Sequence, residues 1–213
     1  MSLVDAVVTM STTQYAMIRE SWKFIDAESI RVIPPFVPST ERHALSRALG
    51  DTVLVSGLWR ELYDYGTAVT IVEGARQIGH DLRLVIAAST ADTDEEYRSR
   101  IFEMAAPRPW IEIHEDRSVQ DFLPRCLAVL RTSTQDSFGL VLSEALWAGI
   151  PIVATNVATR PDVAMLFSPG EAETATRHLA AIASNRETFA REAVACPLFT
   201  GTDGLVELYN NIT

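Results

Sequence analysis

The chain has 213 residues, 47% of them apolar, and a formal net charge of −10. That length and composition support a sizeable buried core and exclude a disordered, collagenous or disulfide-stapled scaffold. The acidic balance excludes nucleic acid as the main partner, because phosphate backbones are held by basic faces, but leaves room for a single nucleotide.

In chain order, residues 6–10 form a short β-prone run. Ser11 and Gln14 then fit a capping box, and Tyr15, Ile18, Trp22 and Ile25 follow at helical spacing. Residues 30–33 are a second apolar run, ended by Pro34-Pro35, where a linker is expected. From residue 51 the pattern turns regular. Residues 53–58 read as a buried strand, and Ala68, Ile71, Val72 and Ala75 mark one face of a helix. A strand at 82–87 precedes a helix carrying Tyr97, Ile101 and Met104, with Asp94, Glu95 and Glu96 at its dipole-favoured start. A strand at 111–113 leads to a short helix from Ser118 that Pro124 helps to end. Strands at 128–130, 152–154 and 164–167 follow, with helices at 139–148 and from Ala172 onward. Two more helical stretches close the chain.

Such alternation implies right-handed βαβ units, hence an α/β fold with a doubly wound parallel sheet that binds ligands at the carboxyl ends of its strands. The two cysteines, Cys126 and Cys196, share no metal-binding spacing and read as buried thiols of a reducing compartment. The four histidines are scattered, so a metal site is not expected. The nearly apolar stretch 138–154 is interrupted by Glu144 and a Gly-Ile-Pro break, which reads as a buried helix and strand and not as a transmembrane segment. No secretory signal is evident, and a cytoplasmic setting is expected.

Glu144 is the only charged residue between Ser137 and Thr159. A carboxylate on so apolar a helix is costly unless something satisfies it. An arginine or backbone amides would do so, and the two hydroxyls of a ribose would do so equally well. Asp136 precedes the same helix, where an acid commonly caps. The free N–H groups of that helix start also suit a pyrophosphate, and Gly139 permits close backbone approach.

The run from Asp136 to Thr155 resembles the signature of the family 4 retaining glycosyltransferases. Asp136 and Glu144 have seven residues between them, Phe138-Gly139 follows the first acid, and Ala145, Gly149, Pro151 and Val153-Ala154-Thr155 lie behind. Arg160-Pro161-Asp162-Val163 and Pro169-Gly170 resemble the next elements. Residues 7–11 resemble the last strand and turn of that family's N-terminal domain, residues 30–38 its interdomain linker, and residues 53–57 the first strand of its C-terminal domain. The resemblance implies a Rossmann-like domain, the C-terminal half of a GT-B fold, over residues 34–213, with residues 1–33 as a remnant of the preceding acceptor-binding domain. It implies a nucleotide diphosphate sugar as substrate, retention at the anomeric carbon, no cofactor and no metal. Glu144 takes the ribose, and Asp136 lies beside the donor sugar and leaving phosphate. Ser137, Phe138, Gly139 and Leu140 contact the donor, together with Gly57, Arg60 and Arg160.

The sequence departs from that family where two cations normally hold the diphosphate, reading Gly57-Leu58 and Tyr65-Gly66 instead. Arg60 is a candidate substitute, as are Arg131 and Arg160. The first acid is Asp, whose carboxylate sits roughly 1.5 Å nearer the backbone than that of Glu. Without an acceptor-binding domain, little or no transfer by this chain is expected. The alternative reading is a non-catalytic Rossmann-like binding or interaction module that has lost the donor. A dinucleotide oxidoreductase is disfavoured by the lack of a GxGxxG between strand and helix. Trp22 and Ile25 are expected to expose apolar surface.

Overall fold

The computed structural model describes residues 5–34, 50–197 and 201–212. Of the expected linker at 30–38, residues 35–38 lie outside them, and Ile30–Val32 form a strand. Among the described residues the principal sheet has six strands: β3 (Thr52–Trp59), β4 (Arg83–Thr93), β5 (Ile111–Glu115), β6 (Cys126–Arg131), β7 (Ile152–Thr155) and β8 (Met165–Phe167). They run in the order β5-β4-β3-β6-β7-β8, every neighbouring pair parallel. Chain order thus reverses between β3 and β6, and this switch point opens the crevice where doubly wound sheets bind ligands.

Strand alternation sorts the apolar side chains onto two faces. Val53, Val55, Leu84, Ile86 and Leu130 join one core with Ile71 and Val72 of α2 (Tyr65–Gln77), Ile101 of α3 (Glu95–Ala105) and Leu179 of α5 (Ala172–Ser184). Leu54, Val85, Val129 and Ile152 face the other way, onto Leu142 and Leu146 of α4 (Leu140–Trp147) and Ala193 of α6 (Arg186–Ala195). Both faces are covered, which is why the strands read as nearly continuous apolar runs. A last helix, α7 (Gly201–Ile212), follows.

The remaining described segment forms its own small layer. β1 (Val7–Thr9) pairs in parallel with β2 (Ile30–Val32), connected through α1 (Thr12–Ser21). Ser11 caps α1, its Oγ accepting from the Gln14 amide at 3.2 Å. The Gln14 side chain reaches back one residue further than a capping box requires, accepting from the Met10 amide at 2.7 Å.

Local expectations are adjusted at three places. Helix α1 stops at Ser21, so Ile25 lies beyond it, although Trp22 is exposed as expected. The helix expected from Ser118 is two 3-10 turns, Val119–Asp121 and Leu123–Arg125, with Pro124 within the first positions of the second turn rather than ending the first. A missing amide is tolerated at a helix start, which explains the placement. Strand β4 runs past the expected end at residue 87 to Thr93, where Trp59 pairs with Thr93 after a shift in register.

Candidate functional site

The carboxyl ends of β3 and β6 border a cavity of about 520 Å³. Met17 of α1 lines it together with Leu62, Tyr63, Gln135, Asp136 and Ser137. The Thr12 and Thr159 hydroxyls, 3.2 Å apart, tie α1 to the loop after β7.

Asp136 lines this cavity with its side chain only 6% exposed. Arg131, at the end of β6, meets it end to end: Nε and Nη2 donate at 2.9 Å to the two carboxylate oxygens. Arg160 Nη1 donates to Oδ2 at 2.9 Å, Ser133 Oγ lies 3.3 Å from Oδ2, and the Ser137 amide donates to Oδ1 at 3.0 Å. Burial pushes the carboxyl up, but Arg131 and then Arg160 outweigh it and hold it below the ordinary range. The arginines are anchored in turn, Arg131 Nη1 on the Ser56 carbonyl and Arg160 on the Thr155 and Phe138 carbonyls. Asp136 therefore does not cap α4.

Gly139 takes that position, with φ of 80° and no side chain to offer the helix amides. A Cβ there would stand 3.1 Å from both Arg160 Nη1 and Asp136 Oδ2. Glycine is thus required twice, for its backbone conformation and for the close approach of the ion pair. Phe138 is buried beside it, while Leu140 is exposed at the first turn.

Glu144 lies one turn along α4, on the narrow face with Leu140 and Trp147 that the core does not fully cover. Burial pushes its carboxyl up, and a hydrogen bond with Gln120, on the 3-10 turn before β6, partly opposes this. Gln120 was invisible as a partner because no spacing within a single element links it to Glu144.

The space over Gly57 is filled. A Cβ at Gly57 would stand 2.1 Å from the Tyr63 ring, so Gly57 admits a side chain of this protein where ligand approach was expected. Arg131 lies over the face of the Tyr63 ring, 4.9 Å from its centroid. At the two positions lacking cations, the Tyr65 hydroxyl donates to the Leu58 carbonyl at 3.0 Å. Tyr65 is wholly buried, edge-on to Trp59 and stacked near Tyr97. Arg60, the candidate substitute, lies on the surface in a fork with Asp92, at 2.8 and 2.5 Å. Glu115, at the end of β5, is bound by Trp59 Nε1 at 2.8 Å and by Arg98. Among the described residues no group of three His, Cys, Asp or Glu side chains is placed to hold a metal, and no helix is long and apolar enough to cross a membrane.

The family model of glycosyl transferases group 1 matches residues 52–185. The fold is similar to a glycosyltransferase from Rickettsia africae ESF-5, with a TM-score of 0.74 and 15% identity over 98% of this chain and 63% of that one. It is similar to the S. aureus TarM G117R mutant solved with fondaparinux, alpha-GlcNAc-glycerol and UDP, with a TM-score of 0.71 and 15% identity over 98% of this chain and 43% of that one. Anabaena HepE in complex with UDP-glucose matches at a TM-score of 0.69 and 16% identity, over 97% and 64% of the two chains. The chain thus spans 43% to 64% of the length of these structures. No curated protein matches it.

Proposed function

The chain belongs to the glycosyl transferases group 1 family, and on that premise we propose that it is the donor-binding half of a retaining, metal-independent glycosyltransferase using a nucleotide diphosphate sugar. The observation that carries this reading is Glu144. A carboxylate raised by burial on an otherwise apolar helix, one turn from the crevice, is a group kept at a cost to stability. Ribose hydroxyls would donate to it and relieve that cost.

The uncapped start of α4, with Ser137, Phe138, Gly139 and Leu140 around it, would receive the diphosphate, its free amides and dipole stabilising the leaving group. Asp136 would lie beside the leaving phosphate, with Arg131 and Arg160 behind it. The acceptor would bind to a domain outside this chain, which spans only part of the structures it resembles.

The test is calorimetric titration with UDP, GDP and ADP, beside Glu144→Ala. One diphosphate that binds, and binds much more weakly to the variant, supports the reading and identifies the base. Equal binding to both proteins would sink the role of Glu144.

A second reading, a fold that no longer takes a donor, is favoured by specific contacts. Tyr63 covers Gly57, and Arg60, Arg131 and Arg160 each pair with an internal carboxylate. It predicts no heat with any nucleotide.

A further inference from the structure

At the ends of β6 and β7 two guanidinium groups share one carboxylate. The side chains of Arg131, Arg160 and Asp136 are 9%, 1% and 6% exposed, so one positive charge is left over in a nearly dry site. Five donors converge on Asp136: Arg131 Nε and Nη2, Arg160 Nη1, Ser133 Oγ and the Ser137 amide. A sixth, Arg160 Nη2, is buried and has no hydrogen-bond partner among the described residues. A carboxylate has two oxygens and one charge to offer this array. A phosphate group has three terminal oxygens and close to two charges, which matches two guanidinium forks better.

We propose that Arg131, Arg160, Ser133 and the Ser137 amide form a seat for a phosphate-class anion, which Asp136 occupies as an internal competitor until such an anion displaces it. The inference rests on the donor-binding reading and deepens it by naming the groups that carry the charge in place of the cations missing at Leu58 and Tyr65.

Three observations favour displacement over a purely structural knot. Asp136 and Ser137 line the cavity of about 520 Å³, so an anion has an approach and the carboxylate a space to enter. The seat adjoins the uncapped start of α4, since Arg160 Nη1 holds the Phe138 carbonyl, immediately before the Gly139 cap. The orphaned Nη2 leaves a donor that the carboxylate does not satisfy.

The test is titration of inorganic pyrophosphate, in chloride buffer, against the unaltered chain, Asp136→Asn and the double variant Asp136→Asn/Arg160→Gln. Asparagine keeps the shape and removes the competing charge. Pyrophosphate should bind Asp136→Asn roughly tenfold more tightly than the parent, the scale of one charge-assisted hydrogen bond, and the double variant should lose that gain. Equal or weaker binding to Asp136→Asn, or a gain that survives Arg160→Gln, overturns the proposal. If Asp136→Asn does not fold in chloride, recovery in pyrophosphate supports the seat and failure in both overturns it. The two readings separate cleanly. UDP binding that depends on Glu144, without the pyrophosphate gain, removes the seat and keeps the donor site. The gain without any nucleotide binding does the reverse.

Discussion

The Tyr63 ring occupies the place where a Cβ on Gly57 would stand, its Cδ1 2.1 Å from that point. The last turn of β3 thus lacks a side chain so that an aromatic ring, itself under the Arg131 guanidinium, can close over it. Gly57→Ala is expected to lower stability by about 1–3 kcal/mol through overpacking. Urea unfolding would measure it, and Gly57→Ala/Tyr63→Ala should cost less than the sum of the single variants. Additive losses would mean that the ring is not what Gly57 accommodates.

Asp136 neutralises buried arginines, and removing it leaves them uncompensated. In chloride buffer, Asp136→Ala is expected to cost about 3–5 kcal/mol of stability. The pH dependence has a definite sign. The carboxyl is held below the ordinary range despite its burial, chiefly by Arg131 and then Arg160. Its contribution is therefore present above the ordinary Asp pKa and lost as pH falls through the depressed value. The parent should lose stability in acid more steeply than Asp136→Ala, as parallel melts across acidic pH would reveal.

Glu144 should show the opposite behaviour. Burial raises its pKa, opposed in part by Gln120. A raised carboxyl gives stability that is complete below the ordinary Glu pKa and lost as pH rises through the folded value. Glu144→Gln is accordingly expected to be more stable than the parent at neutral pH, by less than about 1 kcal/mol because the group is partly exposed. The difference should close in acid. A variant less stable at neutral pH would show that the carboxylate is well satisfied without a ligand.

The layer formed by β1, α1 and β2 presents apolar groups outward, with Phe24 85% and Trp22 49% exposed. Groups so exposed contribute little to folding. Phe24→Ser/Trp22→Ser should leave stability within about 0.5 kcal/mol of the parent while reducing self-association in sedimentation. Sedimentation identical to that of a monomeric parent would count against this face as a docking surface.

Much of the fold was legible in local pattern. Continuous apolar runs with helical stretches between them imply a parallel sheet covered on both faces, and Val53 and Val55 do point away from Leu54. Ser11 read correctly as a helix start because a cap is a contact between residues three apart, whereas Asp94, expected within the first turn of α3, is its cap. The isolation of Glu144 on an apolar helix was also visible, since composition alone reveals it.

What local pattern left open was who meets whom at the crevice. Arg131, Arg160 and Arg60 were interchangeable candidates as free cations, and each lies instead against a carboxylate. The sequence by itself determined the alternation of strands and helices and the spacing from Asp136 to Glu144, because periods of two and 3.6 residues are properties of the backbone. Only the tertiary structure decided that Arg160 reaches Asp136 across 24 residues and that Tyr63 closes over Gly57. Those pairings depend on how parallel register brings the ends of β3, β6 and β7 side by side, and no spacing within a single element encodes that.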